Sequence, residues 1–283
     1  MTAPATEQRP GPARDVAPVA TRGSLGRIPV VLLLPAVLAS ALLVVPTVSL
    51  VLKTPWGDFL GQVTSTPVLQ ALWLTCLASV ATVVLCLLLG TPLAWLLARV
   101  EFRGSSWLRA AVLVPLVLPP VVAGVALITA LGRTGLVGRW LYEWFGLTLP
   151  YTTLAVVIAH TFVSIPFYVL SVEGALRASG QELDLVAATL GADRWTTFRR
   201  VSLPLALPGV VAGAALAWAR SLGEFGATIT FAGNYPGTTQ TMPSKIYTAL
   251  QAEPDVARTL SMILLVVSVA VLVLLRNRWL TRP

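Results

Sequence analysis

Charge is scarce in this chain of 283 residues: Asp, Glu, Lys and Arg together make up 11% of it, against roughly 25% in a typical soluble globular protein. The formal net charge is +8, but a nucleic-acid surface needs its basic residues on a solvated face. Here they sit in short gaps between long apolar runs, which excludes that class. Histidine and cysteine are scarcer still. His160, Cys76 and Cys86 are too few for a Cys/His zinc site. The two cysteines fall in one apolar run, about 15 Å apart on a helix, beyond the ~7 Å Cα separation of a disulfide, and read as small core residues. The two lysines, Lys53 and Lys245, follow Leu52 and Ser244, so a G-x-x-x-x-G-K-S/T nucleotide loop is absent. There is no nucleophile–base constellation, so no catalytic residue is assigned. ATP hydrolysis, if it drives this protein, belongs to another chain.

What is abundant is apolar. Hydrophobic residues reach 56% of the chain and the mean hydropathy is +0.80, the composition of an integral membrane protein. Residues 1–27 are rich in Pro, Ala and Arg with almost no large apolar side chains, and read as a disordered tail. Residues 28–283 read as an all-α membrane domain. Six apolar runs are each long enough to cross about 30 Å of hydrocarbon: residues 28–52, 69–98, 110–131, 151–171, 205–232 and 256–275. The first is longer than the ~7–15 apolar residues of a cleavable signal peptide. Pro92, Pro115, Pro119, Pro120 and Pro166 fall inside these runs, where neighbouring helices can satisfy the freed backbone groups.

Basic residues set the expected orientation. Arg9, Arg14, Arg22 and Arg27 lie in the tail, and Arg99, Arg103 and Arg109 after the second run. Arg177, Arg194, Arg199 and Arg200 follow the fourth, and Arg276, Arg278 and Arg282 close the chain. Only Lys53, Arg133, Arg139, Lys245 and Arg258 fall on the other side. Fourteen against five predicts a cytoplasmic N-terminus and C-terminus. The outer gap at 132–150 holds Trp140, Tyr142, Trp144 and Phe145, either an interfacial aromatic belt or a docking surface for an external partner. The outer gap at 233–255, with Asn234-Tyr235-Pro236-Gly237 as a turn, reads as a loop.

The inner gap at 177–204 is helical in pattern. Leu183, Val186, Ala187 and Leu190 share one face of a short helix, Gly191 ends it in the left-handed conformation, and Asp193 caps a second helix. In that helix Trp195, Phe198 and Val201 recur every three residues, and Pro204 is expected to stop it. Such an element either anchors the loop at the membrane surface or fits a groove on a cytoplasmic partner.

This stretch resembles the characteristic loop of ABC importer permeases: E-A-A, three residues, G, nine residues, I-x-L-P. Here the glycine is Gly191, the branched residue is Val201, and Leu203-Pro204 close the pattern. The E-A-A positions fall on Leu185, Val186 and Ala187, so the glutamate and first alanine are missing, with Asp184 adjacent as a substitute acid. The resemblance implies that Asp184, Leu185, Val186, Ala187, Gly191, Ala192, Val201, Leu203 and Pro204 dock into a cleft of an ATP-binding subunit.

The fifth run carries two charges four residues apart, Arg220 and Glu224, hence on one helix face. Charges inside a bilayer are paired or face a water-filled cavity. Two readings stand: a self-neutralised pair that fixes packing, or a group lining or gating a pathway. Ser221, Thr228 and Thr230 add hydroxyls that can hydrogen-bond an oxyanion, and Gly223 and Gly226 permit close backbone approach. His160 reads as an interhelical hydrogen bond or a proton relay.

The segment 217–250 is similar to the oxyanion branch of these permeases. SLGEFGA is shared by its molybdate and sulfate types, and FAGNYPGTTQTMPSKIYTAL looks like the molybdate type; VPLVLPPVVAG and TFVSIPFYV fit the same branch. The resemblance implies a molybdate permease working as a dimer of two copies, powered by cytoplasmic ATP-binding subunits that hold ATP and magnesium. It also implies an extracytoplasmic binding protein that delivers the anion. Sulfate, thiosulfate or tungstate are the alternatives within this class. A gradient-driven secondary transporter is the alternative outside it, although no inverted repeat is visible.

Overall fold

The computed structural model describes residues 30–279; the predicted tail at 1–27 lies outside them. By its contacts the chain divides into two units, residues 1–49 and 50–283. Among the described residues there is helix but no strand. The first unit holds most of α1 (Val30–Lys53), a helix apolar on all sides. Two of its hydroxyls turn back onto its own backbone: Ser40 Oγ donates to the Ala36 carbonyl at 2.8 Å and Thr47 Oγ1 to that of Leu43 at 3.1 Å, which lowers the cost of placing them in hydrocarbon.

The second unit begins with a short turn of helix, α2 (Phe59–Val63). It is followed by α3 (Thr66–Leu85) and α4 (Thr91–Arg99), joined through a π turn at Cys86–Gly90 into one apolar rod, Thr66–Arg99. A second π turn, Phe198–Ser202, joins α10 (Arg194–Thr197) to α11 (Leu203–Leu222). Each π turn ends two residues before a proline, Pro92 and Pro204. Proline lacks the N–H for the i−4 bond and its ring crowds the i−4 carbonyl; the wider π turn gives that carbonyl room. Pro204 therefore does not stop the helix, contrary to the sequence expectation, and the rod runs on from Arg194 to Leu222.

Five helices are long and apolar enough to cross a membrane. The third predicted run is instead divided into α5 (Ser105–Val117) and α6 (Pro120–Leu131). Leu118 and Pro119 are both extended, with ψ of 133° and 138°, because each precedes a proline and is forced out of the helical region. After α7 (Gly138–Phe145) comes α8 (Thr153–Ala178), longer than the predicted 151–171. The 177–204 gap holds α9 (Glu182–Thr189). The fifth run breaks after α11 and restarts as α12 (Gly226–Phe231). The outer stretch at 233–255 is no simple loop: it contains α13 (Met242–Ala252), and Thr239, Thr241, Met242 and Ser244 are fully buried. The Met242 N–H donates to Thr75 Oγ1 of α3 at 2.8 Å, pinning that segment to the core. The last helix is α14 (Pro254–Trp279).

At the centre stands α8, with 67% of its apolar window buried against 33% in each of the two rods. It runs parallel to α3–α4: Ser79 lies level with His160, Gly90 with Tyr168, and Leu97 with Arg177. Against α11 it runs antiparallel, and small residues set the approach. A Cβ on Gly209 would meet Ala175 and the Ser171 carbonyl oxygen, and one on Gly213 would lie 3.0 Å from the Tyr168 carbonyl. This G-x-x-x-G face lets the backbones touch, and Ser171 Oγ donates across it to the Gly209 carbonyl at 2.9 Å.

Replacing Gly209 by Val is expected to push α11 off α8 at about 1–3 kcal/mol, the usual range for overpacking. Thermal unfolding of the detergent-purified chain should show a lowered midpoint. Gly174→Ala, on the same helix pair but with open space around it, should leave the midpoint unchanged or slightly raised.

Candidate functional site

The residues of the 177–204 gap are arranged by local backbone rules. Helix α9 ends at Leu190, and Gly191 takes φ = +84°. The Gly191 N–H donates to the Ala188 carbonyl and the Ala192 N–H to that of Ala187, both at 3.0 Å, the paired bonds of a Schellman end. Asp193 then caps α10, accepting from the Thr196 N–H at 3.0 Å; the Thr196 hydroxyl, and then this N–H, hold its carboxyl below the usual carboxylate range. Leu185, Val186 and Leu190 are left exposed, and so is Trp195. Val201 and Leu203 are half-buried, and Pro204 is exposed. The result is an apolar ridge flanked by the exposed Arg194, Arg199 and Arg200.

Asp184 faces the other way. Its carboxylate pairs with Arg99 Nε at 2.9 Å, with the two side chains 18% and 6% exposed, and accepts from Ser202 Oγ at 2.9 Å. Arg99 also donates to Ser179 Oγ at 3.1 Å. One carboxylate thus ties α9 to the end of α4 and the start of α11. The expected substitute acid for an external partner is committed inside the chain, and the ridge it leaves outside is apolar and basic. Beside it, the buried Glu173 accepts from Arg109 Nη2 at 2.8 Å and Arg177 Nε at 2.9 Å on one oxygen. Arg177 further donates to the Leu97 carbonyl at 2.7 Å. Sequence pattern missed these ties: Arg109–Glu173 and Arg99–Asp184 are 64 and 85 residues apart and leave no periodic signature, while Arg177–Glu173 is an i,i+4 pair that spacing alone could have found.

The second group sits where the fifth run breaks. Arg220 and Glu224 form an ion pair at 2.6 Å, with Glu224 1% and Arg220 28% exposed. The second Glu224 oxygen accepts the Ala227 N–H at 2.8 Å, so the carboxylate neutralises the arginine and caps α12 together. Ser221 is drawn into a buried chain: His160 Nδ1 and Ser221 Oγ are 2.7 Å apart, and Ser221 Oγ donates to Ser79 Oγ at 3.2 Å. His160 is therefore an interhelical tie joining α8, α11 and α3. Gly226 is needed for packing, since a Cβ there would lie 2.5 Å from Pro120 Cβ, whereas Gly223 has open space around it. Thr230 Oγ1 bonds back to the Gly226 carbonyl at 2.8 Å. Thr228 is fully buried, and its hydroxyl has no partner among the described residues. The structure thus gathers Arg220, Ser221, Glu224, Gly226 and Thr228 at the break, with Thr230 one turn beyond.

Residues 90–282, more than half of the chain, match the family model described as the binding-protein-dependent transport system inner membrane component. The chain belongs to this family. It is a multi-pass membrane transport subunit, and the matched span covers both the 177–204 gap and the helix break. The molybdenum transport system permease protein of Mycobacterium tuberculosis is 48% identical over 84% of this chain and 90% of its own. That of Escherichia coli is 42% identical over 76% of this chain and 94% of its own. In fold, the permease is similar to the crystal structure of a bacterial ABC transporter involved in import of the acidic polysaccharide alginate. The TM-score is 0.72 at 19% identity, covering 89% of this chain and 96% of that one.

Removing one partner of a buried pair strands the other charge, at roughly 3–5 kcal/mol when both are buried, less here because Arg220 is 28% exposed. Arg220→Ala is expected to lower the detergent unfolding midpoint by several degrees. Adding Glu224→Gln should recover part of that loss, since the stranded charge is gone while the amide oxygen still caps Ala227. A double mutant no more stable than Arg220→Ala would exclude the pairing argument.

Proposed function

We propose that this permease forms the membrane pathway of an ATP-driven importer for molybdate. It works as a pair of identical copies, with separate ATP-binding subunits on the cytoplasmic side and a binding protein delivering the anion from outside. The observation that carries the substrate reading is the likeness to molybdenum transport permeases over nearly their whole length, joined to the FAGNYPGTTQTMPSKIY segment. That segment is a built feature of the fold, with Thr239 and Thr241 fully buried and Met242 bonded to α3. A carboxylate at the helix break repels a dianion, so selection is assigned to the binding protein and not to a tight site in the membrane. The site residues act structurally: Arg220 and Glu224 hold the break, and the Ser221 and Thr230 hydroxyls are committed to bonds within the fold.

Docking is assigned to the ridge of Leu185, Val186, Leu190 and Trp195. Its direction follows from charge. The end that carries Arg99, Arg109, Arg177 and the docking loop is the basic end, and the positive-inside rule places it in the cytoplasm with both termini. No cofactor is assigned to this chain; ATP and magnesium belong to the partner. Sulfate is the second reading, favoured by the SLGEFGA string that both anion types share.

Cells lacking this chain, grown in trace molybdate with excess sulfate, are expected to lose molybdenum accumulation by elemental analysis. The intact gene should restore it. Unchanged molybdenum would transfer the assignment to sulfate.

Gly191→Val places a β-branched residue at φ = +84°, which is strained by about 1–2 kcal/mol without any steric contact. It is expected to abolish copurification of the ATP-binding subunit while the permease still reaches the membrane. Retained copurification would exclude this loop as the docking element.

A further inference from the structure

A cleft of about 620 Å³ opens at the basic end, between the end of α4, the turn that follows it, the start of α5 and the end of α8. Arg99, Arg103, Arg109 and Arg177 line it, with Glu101 and Gln181. It is distinct from the docking ridge and from the helix break. Its charges do not balance. Arg99 is matched by Asp184, but Arg109 and Arg177 share the single carboxylate of Glu173 on one oxygen. Arg103 makes no ion pair among the described residues and is offset only by the exposed Glu101. One positive charge is left over.

The two shared arginines are also pre-positioned. Glu173 and the Leu97 carbonyl fix one edge of each guanidinium, yet their side chains stay 40% and 49% exposed. Further N–H donors therefore remain for an acceptor in the cleft, in the fork geometry that suits phosphate oxygens. A surplus of one charge matches a phosphodiester monoanion better than a free dianion. The neighbouring surface suits the rest of such a molecule. On α5, Trp107 is 82% exposed and Val117 81%, and with the exposed Ala111 and Val114 they form an outward apolar stripe leading away from the cleft. Tryptophan beside arginine is the composition of a headgroup boundary, and basic pockets between helices at a membrane face bind anionic headgroups.

We infer that this cleft binds the phosphodiester headgroup of an anionic phospholipid, with the acyl chains along the α5 stripe. The inference does not rest on the identity of the transported anion.

The test uses the full chain with its ATP-binding partner in detergent, and native mass spectrometry with added phosphatidylglycerol or phosphatidylcholine. Phosphatidylglycerol should be retained selectively. Arg103→Glu, which removes the charge surplus without touching buried Glu173, should weaken that retention on the order of tenfold. Equal retention of the two lipids, or an unchanged Arg103→Glu variant, would overturn the proposal. Full displacement of phosphatidylglycerol by millimolar phosphate or molybdate would overturn the lipid assignment in favour of a free oxyanion. Should the variant fail to fold, brominated phosphatidylglycerol gives a second readout on otherwise native protein. It should quench tryptophan fluorescence less in Trp107→Phe than in the unaltered chain, and an equal fractional quench would count against the site.

Discussion

Hydrocarbon offers no hydrogen bonds, so every interruption of a helix inside it must be repaired from within the protein. This chain interrupts its helices repeatedly, and it repairs them in three ways. The π turns at Cys86–Gly90 and Phe198–Ser202 widen the backbone ahead of Pro92 and Pro204 and keep the rods continuous. The Leu118-Pro119 kink is a true break, closed over by α12 packing on α6 with Gly226 against Pro120. At 223–225 the free N–H of Ala227 is met by a carboxylate. The last is the most demanding, because it brings a charge into the interior, and the nearby arginine is what makes it tolerable.

The same economy governs the other buried acids. Glu173 and Asp184 are each held by arginine, and each links helices distant in sequence. At short range and low dielectric such a pair is worth far more than at a wet surface, while an unmatched partner would be prohibitive. Arginine is suited to this because one guanidinium reaches a carboxylate and a backbone carbonyl together, as Arg177 does with Glu173 and Leu97.

Much of this was legible before any coordinates. Run length and hydropathy marked an all-helical membrane protein, because water-to-lipid transfer acts on composition more than on detail. Gly191 and Asp193 were readable as helix end and helix start, since caps are local. The Arg220–Glu224 pair was readable from i,i+4 spacing. What the sequence concealed was non-local. Two consecutive prolines were visible at 119–120, but whether neighbours would carry the helix through them was not. Pro204 reads as a stop from its own neighbourhood, and the π turn ahead of it carries the helix through. Asp184 reads as free for a partner because its match, Arg99, is 85 positions away. The burial of Thr239–Ser244 depends on a bond to Thr75 that no pattern within the segment announces.

The continuous rod from Arg194 to Leu222 has a mechanical meaning of its own. Its 29 residues extend about 43 Å at 1.5 Å each. Trp195 stands exposed at one end, and Arg220 and Ser221 sit at the other beside the helix break. The close α8 contact braces its α11 part, from Gly209 to Ser221. A tilt of about 5° about one end of a ~43 Å beam sweeps the other through about 4 Å, comparable to the diameter of a small hydrated anion's core. One continuous helix thus joins the exposed loop end to the helix break, so the two lie at the ends of a single element.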